Sequence, residues 1–303
     1  MKINKISYAL GSESVNIKNI AKKNYNKIIE TTGISKIFKV SKNEDIITLA
    51  IKAAKKVLAN EKKIDVIIFI TQTPKYNIPP NSYLIHKELD IQKNCMVFDV
   101  NMGCSGYIYG LKLADNFLKN ENTKNILLIT SDNYSRYVKK LNVKLLFSDC
   151  ATATLLTKSK EKTQFEFYSD GDQHKNLSQE YTNNEKNINE NSLIMNGNNV
   201  FNFSITVVPK IIRTLLKKNN TNIKKIDYLL LHQASKIVNN NLQRKLNLNK
   251  NKFLDNYKKF GNTVSSSIPL LIAKNIEKLK NKKIIMCGFG VGLSAGACIY
   301  EFK

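Results

Sequence analysis

The chain is short of acid, short of histidine, and without a CxxC pair or any long apolar run. Stretches such as VIIFI at 66–70 and YLLL at 228–231 fall far below the roughly 20 apolar residues that a membrane-crossing helix needs. The opening MKINKISYALGSES has no apolar core of the kind that marks a secretory leader, so the sequence predicts a cytoplasmic location without membrane insertion. Five cysteines, Cys95, Cys104, Cys150, Cys287 and Cys298, form an odd set with no metal-type spacing. Three histidines are too few to complete one, so neither a disulfide framework nor a metal site is expected.

The shortage of acid leaves 48 Lys and Arg against 24 Asp and Glu, a formal charge of +24. Such an excess suits nucleic acid, an anionic membrane surface or an acidic protein. Here it is almost all lysine, scattered and interleaved with asparagine, with no basic heptad, zinc-finger spacing or aromatic RNA-binding signature. Binding of nucleic acid is therefore not expected, and most lysines read as a solvated surface. A hydrophobic content of 42% over 303 residues is enough to fold around a substantial core.

Periodicity gives an amphipathic helix at about 44–60, a strand at 64–72, a strand at about 97–101, a helix from Cys104, and strands from Asn125 and Ala151. Strands alternating with helices indicate an α/β fold. The order then repeats. A helix at about 203–217 precedes KKIDYLLLHQA at 224–234, which mirrors KKIDVIIFITQ at 62–72 with an offset of 162 residues between Asp65 and Asp227. The helix from Asn262 matches the one from Cys104 at an offset of 158, and KIIMCG from Lys283 matches NILLIT from Asn125 at the same offset. Two duplicated α/β halves, 1–156 and 192–303, are expected, separated by a polar surface excursion over 157–191.

Cys104 lies between a strand and a helix, flanked by Gly103 and Gly106. The unpaired N–H groups and positive dipole end of a helix N-terminus favour thiolate there, which suits a nucleophile. The other four cysteines lie in or beside apolar strands as small buried hydrophobes. His232 follows the strand DYLLL, at the strand end where α/β sites are commonly built. Asn262 occupies in the second half the place that Cys104 holds in the first, so a pseudo-twofold would bring the two helix starts together. Taken singly, each residue also has an ordinary reading: a buried thiol, an edge histidine, a Gly-Asn-Thr turn and helix cap. His86, in a helix, and His174, in the polar excursion, carry no assigned role.

Together these segments resemble β-ketoacyl-acyl carrier protein synthase III: GCSGYIYGL its nucleophile segment, LLHQAS its histidine segment and FGNTVSSSIPL its asparagine segment. ETTGISKI, LLFSDCATATLL, MNGNNVFNF and GFGVGLSAGA extend the likeness over nearly the whole chain. The resemblance implies a thiolase fold of five layers, αβαβα, in a homodimer. It implies an acyl-enzyme on Cys104 and a decarboxylative condensation with malonyl-acyl carrier protein, assisted by His232 and Asn262. Backbone N–H groups of Cys104 and of the Gly290-Val291-Gly292 turn, at Val291 and Gly292, would stabilise the oxyanion. Gly197, Phe201, Ala234 and Ser235 would line the substrate path, and Ile78 stands where the partner subunit closes the acyl pocket. Thioesters of coenzyme A or phosphopantetheine are the implied substrates, with no cofactor and an acyl carrier protein as partner.

The chain departs from that pattern at the mouth. A tryptophan and an arginine usually stack the coenzyme A adenine; here Lys27 and Thr31 stand in those places and the chain has no tryptophan. The usual basic contact for the carrier protein is Ile237. These changes open the primer donor to carriers other than coenzyme A and point to a specialised paralogue outside housekeeping fatty-acid synthesis. The same residues also allow acyl transfer to a hydroxyl or amine without elongation.

Overall fold

The computed structural model describes residues 1–21, 24–59, 61, 63–138, 140–180 and 193–303. In chain order its strands are β1 (Lys2–Leu10), β2 (Glu13–Asn16), β3 (Lys36–Lys39), β4 (Val66–Ile70), β5 (Met96–Val100), β6 (Asn125–Asp132) and β7 (Cys150–Thr157). They continue as β8 (Gln164–Ser169), β9 (Leu177–Ser178), β10 (Ile194–Met195), β11 (Tyr228–Leu231), β12 (Phe253–Leu254), β13 (Lys283–Gly290) and β14 (Ser294–Glu301).

Ten of these strands build two sheets of one design. The first runs β1-β7-β6-β4-β5, the second β8-β14-β13-β11-β12. Position for position, the first two pairings are antiparallel and the last two parallel in both. The duplicated α/β plan is thus present at the level of strand order. Its second copy starts earlier than the sequence suggested: β8, inside the 157–191 stretch, pairs with β14 and is the counterpart of β1. Leu177–Ser178 of the same stretch pairs with Ile194–Met195, and residues 181–191 lie outside the described set.

The apolar strand runs are continuous because both faces are covered. In β4, Val66, Ile68 and Ile70 point to a central core while Ile67 and Phe69 point to an outer one. In β13, Ile284 and Met286 share that central core, and Ile285, Cys287 and Phe289 face the opposite outer layer. The central core holds the Gly106–Phe117 helix through Tyr107, Ile108 and Leu111, and the Ser267–Leu279 helix through Ile268, Leu271 and Ile272. The Ile46–Leu58 helix covers one outer face, and the Gly197–Lys218 helix the other. Five layers result, αβαβα.

The Ile46–Leu58 helix is fixed at its start by a capping box between Asp45 and Thr48. The helix expected from about residue 203 begins at Gly197, where the Asn196 side chain accepts from the Asn199 N–H. Residues 197–199 are exposed, so no apolar periodicity announces that first turn. The repeated KKID motif has one structural use in both halves. Asp65 Oδ2 accepts from the N–H groups of Lys124 and Asn125 at the start of β6, and Asp227 Oδ2 from that of Lys283 at the start of β13. Each carboxylate pins the neighbouring parallel strand in register.

Candidate active site

An apolar cavity of about 250 Å³ receives residues from both halves: Cys104, Gln72 and Tyr134 from the first, and His232, Asn262 and Phe289 from the second. Cys104 sits in the turn between β5 and the Gly106–Phe117 helix, closed by a 2.8 Å hydrogen bond from Gly106 N–H to Gly103 O. This turn is clasped from two sides. A Cβ on Gly103 would stand 2.1 Å from Gln72 Oε1, and one on Gly290, whose φ is +154°, would stand 3.0 Å from Cys104 Cβ and 3.2 Å from its Sγ. No larger residue fits at Gly290 without displacing the thiol.

His232 extends β11 by donating its backbone N–H to Cys287 O at 2.9 Å. Its ring, 2% exposed, stands edge-on to Phe289 with centroids 5.4 Å apart, and Nδ1 is buried without a hydrogen-bond partner. Asn262 is held by its backbone, which donates to Leu146 O at 2.8 Å and accepts from Ser148 N–H at 2.9 Å. Its Oδ1 accepts from Val264 N–H at 2.9 Å. A backbone N–H can only donate, so this bond fixes which end of the amide is which and leaves the NH₂ group for the cavity. Val264 has a φ of +53°, a left-handed conformation that a β-branched residue adopts only under constraint.

Burial favours the neutral forms of both Cys104 and His232. Burial pushes the Cys104 thiol up to about 12, with the charge of Asp132 adding to the rise and its own backbone N–H opposing it. Burial also holds the His232 imidazolium down at about 3. The expected thiolate is thus replaced by a thiol. The helix begins only at Gly106, and desolvation of a residue that is 7% exposed outweighs the dipole. Neutral imidazole keeps one N–H to donate and one nitrogen to accept.

The other expected positions divide. Gly197, Phe201, Ala234, Ser235, Val291, Thr31 and Ile237 line this cavity. Gly292 lines the adjoining one, which shares Val291, Gln72 and Tyr134 with it. Ile78 stands 87% exposed and lines neither. Sequence reasoning missed Gln72, Phe289 and the fully buried Asp132, whose only local signal was a carboxylate ending the apolar run NILLITSD.

Comparison with known proteins places this fold in a family. The model of the 3-oxoacyl-[acyl-carrier-protein] synthase III C-terminal region matches residues 216–302, and that of 3-oxoacyl-[acyl-carrier-protein] synthase III matches 98–171. Beta-ketoacyl-[acyl-carrier-protein] synthase III of Clostridium botulinum strain 657 is 34% identical over 250 residues, 77% of this chain and 76% of its own. The chain belongs to the 3-oxoacyl-[acyl-carrier-protein] synthase III family. The synthase III of Trichodesmium erythraeum is 36% identical over 258 residues, 80% of this chain and 78% of its own. The solved synthase III of Aquifex aeolicus VF5 superimposes with a TM-score of 0.91 at 27% identity, covering 99% of both chains. The priming β-ketosynthase of the R1128 polyketide pathway, at 20% identity and a TM-score of 0.93 over 99% of this chain and 96% of its own, shares the fold. Membership in the synthase III family makes the chain a condensing acyltransferase of the thiolase superfamily.

Proposed function

We propose that the protein condenses an acyl thioester with malonyl-acyl carrier protein through an acyl-enzyme on Cys104. The observation that carries this reading is the meeting of Cys104, His232 and Asn262 in one apolar cavity. In the first stage Cys104 Sγ attacks the acyl carbonyl, the carrier's C–S bond breaks, and the thiol proton ends on the released carrier thiol. The backbone N–H groups of Cys104 and of Val291 or Gly292 serve the oxyanion of that step. In the second, the malonyl C–C bond breaks and carbon dioxide leaves with the electron pair retained as an enolate. The His232 N–H and the Asn262 NH₂ hold the enolate oxygen. Its carbon attacks the acyl group, and Cys104 leaves, taking up a proton. No cofactor enters either stage; Gly197, Phe201, Ala234 and Ser235 line the path of the thioester arm.

A homodimer and a cytoplasmic setting belong to the same reading. β5 is an edge strand, and Met96 on it, with Tyr76, Ile78 and Tyr83 nearby in the chain, is exposed. Asp99 of β5 accepts from the N–H groups of Asn81 and Ser82, tying that segment to the edge. A second copy paired along β5 would cover it, and light scattering of the purified protein tests this.

The charge of +24 supports an acidic carrier as partner. Raising salt from about 0.05 M to about 0.5 M shortens the Debye length from roughly 14 Å to about 4 Å and should lower kcat/KM for the carrier-bound substrate while sparing kcat. A malonyl-pantetheine analogue should respond much less. Equal responses would remove charge from the docking step. The reaction itself is tested by intact-mass measurement after incubation with acyl thioesters of coenzyme A and of carrier protein, followed by malonyl-acyl carrier protein. An acyl adduct consumed with release of carbon dioxide supports the proposal. An adduct that passes to a hydroxyl or amine without carbon dioxide overturns it.

A further inference from the structure

Asp132 ends β6 at 1% exposure, and its two oxygens are divided between the halves of the molecule. Oδ1 accepts from Gln72 N–H at 2.8 Å and Thr71 Oγ1 at 3.4 Å, both in the first half. Oδ2 accepts from Ser265 N–H at 3.3 Å and from Ser265 Oγ, in the second. Among the described residues no ion pair reaches it, so only hydrogen bonds oppose its burial, and burial prevails: the Asp132 carboxyl is raised to about 7 against the bonds from Ser265, Gln72 and Thr71.

Both sides of this bridge lead to the chemistry. Gln72 packs its side-chain oxygen against Gly103, next to the nucleophile. Ser265 follows Val264, whose left-handed backbone brings its N–H to Asn262 Oδ1. We propose that Asp132 is a positioning residue that sets the Cys104 turn and the Asn262 loop against each other, and so aims the Asn262 NH₂ group at the enolate oxygen. The N–H groups of Gln72 and Ser265 can only donate, one to each oxygen, and the Thr71 and Ser265 hydroxyls donate beside them when the group is ionised. Its role rests on the reading of Asn262 given above.

The position carries an opposing effect. The titratable groups that feel the charge of Asp132 are the thiols of Cys104 and Cys150, both raised chiefly by burial and further by that charge. The same charge that holds the Asn262 loop therefore disfavours the Cys104 thiolate. A residue that only supported the fold would not push the two stages in opposite directions.

The test uses the full-length protein with Asp132→Asn. The neutral amide still accepts from Gln72 but turns an NH₂ group toward Ser265, whose hydroxyl can accept from it while its backbone N–H faces a donor. At about pH 8.5, where the Asp132 carboxyl of the wild type is mostly ionised, alkylation of Cys104 by iodoacetamide is expected to accelerate, by a few-fold, as its thiol pKa comes down. Transfer from a preformed acyl-enzyme to malonyl-acyl carrier protein is expected to fall about tenfold or more, since a bond to a charged acceptor is lost. If both rates fall by the same factor, or neither moves, the proposal fails.

Should Asp132→Asn not fold, Ser265→Ala removes one donor and keeps the backbone N–H. It is expected to slow condensation severalfold and leave alkylation unslowed, and equal changes in both overturn the proposal. Alkylation needs no acyl substrate. A wild-type protein that forms acyl-enzyme but never condenses would refute the proposed function, while a changed alkylation rate in Asp132→Asn would still show the coupling to Cys104.

Discussion

The two halves share one strand order and one KKID clamp, yet they hold different tools at equivalent places. Cys104 lies before the central helix of the first half and Asn262 before that of the second. At the repeat offset of 162, His232 of the second half answers to Ile70 of the first, which is packed in the central core. The difference teaches that the sheets are a common support, and that chemistry sits in the few residues beyond the strand ends. In the proposed reaction the first half makes the covalent bond and the second holds the developing charge.

Breaking each half separately should have unlike outcomes. Cys104→Ala should abolish acyl-enzyme formation and with it both stages, as read by intact mass; a hydroxylamine-labile acyl mass on that variant would move the nucleophile elsewhere. Asn262→Ala and His232→Ala should still acylate but lose condensation by about 10²–10³-fold, the usual effect of removing one oxyanion donor. A loss of only a few-fold would deny them that role. The smallest effect sharpens the comparison of the supports themselves. Asp65→Ala removes the acceptor of two backbone N–H groups, one exposed and one half-buried, and should cost about 1–2 kcal/mol. Asp227→Ala should cost less than about 1 kcal/mol: its carboxylate accepts one such bond, is 41% exposed and meets Lys282 only at 3.9 Å. Urea melts of the two variants measure both, and equal losses would contradict the difference drawn here.

The duplication was legible because buried parallel strands must be apolar throughout, and VIIFI, NILLIT and KIIMCG stand out in a lysine-rich chain. β8 was not, although QFEFYS alternates as an edge strand should, because it needs few apolar residues and lies in polar surroundings. Cys104, His232 and Asn262 were legible as motifs, and for Cys104 and Asn262 their equivalent places in the two repeats foretold that they line one cavity. The ionisation of Cys104 was not, since it depends on how deeply the sulfur is buried and on Asp132, neither of which the neighbouring residues encode. Nor could Asp132 be read as a bridge: its partner Ser265 lies 133 residues away, and the left-handed turn at Val264 has no glycine to announce it.

A single-turnover experiment tests the division of labour most directly. Wild-type protein and Asn262→Ala are first loaded with an acyl group, freed of donor, and mixed with malonyl-acyl carrier protein while bound acyl mass and carbon dioxide are followed together. The account predicts that wild type loses one acyl group for each carbon dioxide released, whereas Asn262→Ala loads normally and then keeps its acyl group with almost no carbon dioxide. Failure of Asn262→Ala to load, or release of carbon dioxide by wild type without loss of the acyl group, would contradict it.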